Sequence, residues 1–149
     1  MKSFIAAGLA LSAVLALGAC AQNAGAPAKA KGSVLSAAVA SQAQVTARGT
    51  FTGKSNHVTT GHASIGRVDG KWVVILEDDF TFDGAPDPHV ALGSNGYDKN
   101  AKLALLSSNN GKQVYEIPAS LDVGDFNEVW IWCVKFAVPL GVAKLSLTS

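Results

Sequence analysis

From Val45 onward the chain runs as short segments rich in Val, Ile, Thr, Phe and Trp, broken at fairly regular intervals by Gly, Asn and Asp. Segments of this composition suit pleated, half-buried strands, and the repeated breaks leave no room for sustained helical periodicity. The pattern predicts an all-β domain, an antiparallel β-sandwich. Asp69-Gly70 separates a segment ending at Val68 from Lys71–Leu76, and Asn110-Gly111 separates Lys102–Leu106 from Lys112–Ile117. Both dipeptides accept the positive φ of a two-residue turn, so each predicts a hairpin. Further strands are expected at Gly49–Thr52, His57–Ile65, Phe80–Phe82, His89–Leu92, Val129–Phe136 and Ala143–Leu147. The runs Trp72–Leu76 and Val129–Val134 are apolar at successive positions, which predicts strands covered on both faces.

A chain of 149 residues holds one domain with a real core. Its positive mean hydropathy of +0.24 owes much to the stretch ahead of Cys20. There Lys2 gives a basic start, Phe4–Leu17 is an apolar and small-residue run, and small residues precede the cysteine, which is the layout of a secretory signal over residues 1–19. The run is too short for a comfortable permanent span, which needs about 20 apolar residues. Leu17-Gly18-Ala19-Cys20 resembles the bacterial lipobox, which implies lipidation, with diacylglycerol on the Cys20 sulfur and cleavage before it. More than one acyl chain makes such an anchor effectively permanent. Ala21 stands where inner-membrane retention in many lipoproteins uses Asp, so the expected location is the cell envelope, the outer membrane favoured over the inner. Residues 20–44, rich in Ala, Ser, Gly and Lys, are expected to form a tether, with Ala and Gln leaning towards helix within Val34–Gln44. The expected domain is 45–149.

The formal net charge of +1 falls to about zero once Lys2 is removed, which gives no electrostatic footprint for nucleic acid. With Cys20 acylated, Cys133 is the only thiol left and no internal disulfide can form. Alternation puts Val129, Ile131, Cys133 and Lys135 on one face of their strand and Trp130, Trp132, Val134 and Phe136 on the other. Lys135 would then be the nearest cation to the thiol, able to lower its pKa in an open site. The competing reading is a buried, inert cysteine acting as a small hydrophobe.

His57 and His62 fall on opposite faces of an unbroken strand and would share an ion only if Gly61 formed a bulge. Asp87 lies between Pro86 and Pro88, a stiff entry to His89, and the pair are candidate ligand-binding residues for a metal or haem. Glu77-Asp78-Asp79 with Asp83 and Asp87 fits no EF-hand spacing. A cupredoxin lacks the required His and Met after Cys133, covalent haem lacks its Cys-x-x-Cys-His run, and no nucleophile elbow or P-loop is present. No metal site and no enzyme of an established hydrolytic or nucleotide-using type is predicted.

The segment from about Gly49 to Leu145 resembles the electron-transfer DM-thirteen domain family. The resemblance is carried by Gly49-Thr50-Phe51, Thr60-Gly61-His62-Ala63, Asp79-Phe80, Pro86-Asp87, His89-Val90-Ala91-Leu92-Gly93, Tyr115-Glu116-Ile117-Pro118, Ile131-Trp132-Cys133, Phe136-Ala137-Val138 and Gly141–Leu145. Ala85, and Ala91 where the family often has a bulkier side chain, depart from its pattern. The resemblance implies a β-sandwich related to DOMON domains and a redox or electron-transfer role centred on Cys133, as a bare thiol or through haem. A redox partner protein and a monomeric chain are the matching expectations. The alternative is a non-catalytic extracytoplasmic binding or structural module.

Overall fold

The computed structural model describes residues 34–36 and 41–149, so the signal, Cys20 and the start of the tether lie outside the described residues. The strands are β1 (Val34–Leu35), β2 (Gln44–Gly53), β3 (Thr59–Thr60), β4 (His62–Val68), β5 (Lys71–Leu76) and β6 (Thr81–Phe82). After these come β7 (Pro88–Gly93), β8 (Tyr97–Leu105), β9 (Gln113–Glu116), β10 (Glu128–Cys133), β11 (Val138–Lys144) and β12 (Ser146–Leu147). One antiparallel sheet runs β1-β9-β5-β4-β2-β11-β10-β7-β8, with β12 also on β2, and β3 pairs β6 separately. The sheet curls into a nearly closed, barrel-like sandwich, and all paired strands are antiparallel, as the segment pattern predicts.

The long strand β2 makes the closure. Its first residues pair with β4, from Gln44↔Arg67 to Thr50↔His62, while Phe51, Thr52 and Gly53 pair with Ala143, Val142 and Gly141 of β11. One strand thus belongs to both walls, and the main core lies between them. Phe51, Val74, Leu76, Phe80, Val90, Leu92, Ile131 and Tyr115 are among its buried members. The expected double cover of β5 is present: Val74 and Leu76 face the main core, and Val73 and Ile75 join a second cluster with Val68 and Val114.

Leu35 and Ala43 pack against that second cluster, and β1 pairs with β9, so part of the stretch expected as tether joins the fold. The expected helix within Val34–Gln44 is corrected in the same place. Val34–Leu35 is strand, Ser41-Gln42 is a short 3-10 turn and Gln44 opens β2. Sheet pairing here outweighs the weak helix preference of Ala and Gln.

Asp69 (φ 48) and Gly70 (φ 78) form the predicted tight turn between β4 and β5, with Val68 opposite Lys71. Asn110-Gly111 does not make the predicted hairpin. β8 pairs with β7 and β9 with β5, so the connection crosses between walls, and Gly111 (φ 79) donates its N–H to the Phe80 carbonyl at 2.9 Å. The expected strand His57–Ile65 is broken at Gly61, φ 88, where an added Cβ would meet the Asp79 carbonyl oxygen at 2.3 Å. Only glycine fits such a bend.

Candidate functional site

Cys133 is the last residue of β10, between β7 and β11, opposite Pro88 on one side and Val138 on the other. Ile131 and Cys133 point into the main core, and Cys133 is 1% exposed. Because the Val134 N–H bonds to the Asp87 carbonyl, Cys133 and Pro88 form a non-hydrogen-bonded pair, and the N–H that Pro88 lacks costs β10 no ladder bond. The strand ends here because Val134–Ala137 forms a turn into β11, with Ala137 at φ 52. The turn is tied to the neighbouring corner by the Val134 N–H, which donates to the Asp87 carbonyl at 3.0 Å.

This ending corrects the expected strand to Phe136 and the placing of Lys135 on the thiol's face. Lys135 sits in the exposed turn, its Nζ 5.4 Å from the centre of the Phe136 ring. Asp87 and His89 do come together beside Cys133. His89 Nδ1 lies 3.4 Å from Asp87 Oδ1 and 3.3 Å from the Asp87 carbonyl oxygen, and both side chains are partly buried. His89 stands opposite Trp132. Alternation from the core residues Val90 and Ile131 puts that pair on the outer face, away from the sulfur.

The outer face of β10 holds a group that sequence reading missed as a unit. Trp132 stacks on Tyr97 with ring centres 4.0 Å apart and planes 1° apart, and meets Trp130 edge-on at 6.5 Å. Burial, then the Asp98 carboxylate, push the Tyr97 phenol up from its ordinary value. Glu128, on the same face and 3% exposed, accepts hydrogen bonds from Trp130 Nε1 at 3.0 Å and the Gly96 N–H at 2.7 Å. Ala91 lies opposite Trp130 and is fully buried. The expected double cover of β10 is only partly met: Trp130 and Trp132 stay partly exposed on the outer face, where Tyr97 stacks on Trp132, and Val134 lies in the exposed turn. The signal was available: Glu128, Trp130 and Trp132 are spaced by two.

The remaining histidines are held apart. His57 Nδ1 lies 2.9 Å from Asp83 Oδ1, and His62 Nδ1 lies 2.5 Å from Asp79 Oδ2. The Asp83 carboxyl is held below its ordinary value by the Val58 N–H and then by His57. For Asp79, burial pushes upward, but hydrogen bonds from the His62 side chain and backbone, with the His62 charge, carry it below. With the strand broken at Gly61, each histidine pairs with its own aspartate. Among the described residues no group of three or more His, Cys, Asp or Glu comes together to hold a metal.

Haem, which the resemblance implies as one option, needs an open coordination position on Cys133. The sulfur as packed does not fit that role, since its surroundings are the continuous core and its exposure is 1%. The two described cavities lie elsewhere. One is lined by Ser94 and Gly96–Asn100, the other opens at the β2 end of the barrel.

The family model for electron transfer DM13 matches residues 50–145, a span that takes in Asp87, His89, the aromatic group and Cys133. No curated protein and no solved structure matches the chain.

Proposed function

The chain belongs to the electron transfer DM13 family, and from that premise we propose that it is a membrane-anchored envelope domain exchanging electrons through the Cys133 thiol. The observation that carries the reading is the position of Cys133, the last residue of its strand and next to a four-residue turn. A domain with one thiol can store no internal disulfide, so its two-electron chemistry needs a sulfur from outside. The Cys133 thiolate attacks one sulfur of a disulfide on a redox partner protein. The partner's S–S bond breaks, a mixed disulfide forms at Cys133, and the other partner sulfur leaves as a thiolate. The thiol's proton passes to solvent.

Access requires local opening of the Val134–Ala137 turn, an event of lower free energy than global unfolding. Acylated Cys20 holds the domain at the membrane, with Ala21 favouring the outer membrane, and the chain acts as a monomer. Replacing Cys20 with Ala should release the chain from the membrane fraction; retention there would remove the anchor.

A second reading is favoured by the 1% exposure of Cys133: a non-catalytic binding or structural module with an inert cysteine. Alkylation kinetics separate the two. Electron exchange through the thiol predicts labelling of native protein faster than its global unfolding rate. Labelling that tracks global unfolding leaves only the inert module.

A further inference from the structure

We propose that the barrel mouth at the Gln44 end of β2 binds an amphipathic carboxylate, a fatty acid of medium chain length, independently of Cys133. The mouth is a cavity of about 430 Å³, within the range of small-ligand pockets, which barrels often carry at their mouths. Ile65 forms part of its floor, and Trp72, Phe126 and Leu145, all partly buried against the main core, form its walls. It therefore opens onto the core itself.

Charge selects the head group. Arg67 alternates with Ile65 on the inward face of β4, and its guanidinium lies 4.3 Å from the centre of the Trp72 ring. No carboxylate among the described residues pairs with it. A cation at the rim of an apolar cavity matches a ligand with an apolar body and one carboxylate, which Arg binds in two-pronged fashion. Asp122 also lines the mouth, but its Oδ1 already accepts the Gly124 N–H at 2.9 Å. It opposes an anion and so supplies a control of opposite sign.

The test is calorimetric titration of the full-length chain with sodium dodecanoate below its micelle concentration, beside dodecanol and dodecyltrimethylammonium. Saturable binding of dodecanoate, roughly tenfold or more tighter than the alcohol, is expected. Arg67→Met, which keeps an apolar stem over Trp72, should remove that preference and leave dodecanol binding unchanged. Asp122→Asn, which can still cap Gly124, should tighten dodecanoate severalfold. No saturable binding by the unaltered chain would overturn the site, whatever the variants do. Equal binding of all three amphiphiles, or a preference that survives Arg67→Met, would overturn the assignment of a carboxylate.

Discussion

At its Cys133 end the barrel is shut, because Val134–Ala137 folds β10 into β11 and the Val134 N–H locks onto the Asp87 corner. At the Gln44 end the walls part around Trp72, Phe126 and Leu145, and a cavity reaches Ile65. The Cys133 sulfur and this cavity therefore lie at opposite ends. The first is sealed, with Cys133 1% exposed, while the second already stands open.

Core truncation should show this contrast most strongly. Ile131→Ala, in the sealed wall beside Cys133 and fully buried, should cost about 2–5 kcal/mol in denaturant unfolding. A loss below about 1 kcal/mol would mean that this end is no tighter than the mouth. Cys133→Ser should cost about 1–3 kcal/mol, since a hydroxyl replacing a buried sulfur gives up hydrogen bonds to water. A neutral result would indicate a solvated sulfur and would break the contrast directly.

Acid gives a smaller effect. The Asp79 and Asp83 carboxyls sit below their ordinary value of 3.8 in the folded chain. Their contribution is complete above that unfolded value and is lost as pH falls through the lowered folded values. Both are largely exposed, so solvent screens the gain. Thermal melts from about pH 6 down to about pH 3 should show an acid decline that becomes shallower in Asp79→Asn; an unchanged slope would remove Asp79 from the account. The smallest effect is expected at the mouth's rim, where Leu147 is 87% exposed. Leu147→Ser should change stability by no more than about 0.5 kcal/mol. A large loss would show that the rim is covered in solution.

Sequence reading was strongest where a turn had a chemical signature. Asp69-Gly70 meets its positive φ values, and the strand runs on either side fall into register across it. The same logic misread Asn110-Gly111, because a dipeptide specifies a local bend and says nothing about which wall the next strand joins. The end of β10 was illegible for the opposite reason. Val134-Lys135-Phe136-Ala137 contains no Gly, Pro, Asn or Asp, yet it turns, and Ala137 takes a positive φ that its type rarely adopts. Lys135 was misplaced as a result. Asp87 and His89 were expected as neighbours across Pro88, and their side chains do meet at 3.4 Å, but nothing in their spacing told that they would lie on the strand next to Cys133. The mouth left no mark, because Arg67 and Trp72 become partners only through the β4–β5 register.

The shared strand β2 carries a consequence for biogenesis. Phe51 waits for Ala143, about ninety positions later in the chain, before its second neighbour exists. A polypeptide made or threaded from its N-terminus therefore cannot shut the cylinder until nearly its final residues emerge, and loop closure over that span slows the last step. Until then the edge of β2 that takes β11 and β12 stays open to pairing with other chains, so the interval between synthesis and completion is when aggregation threatens most.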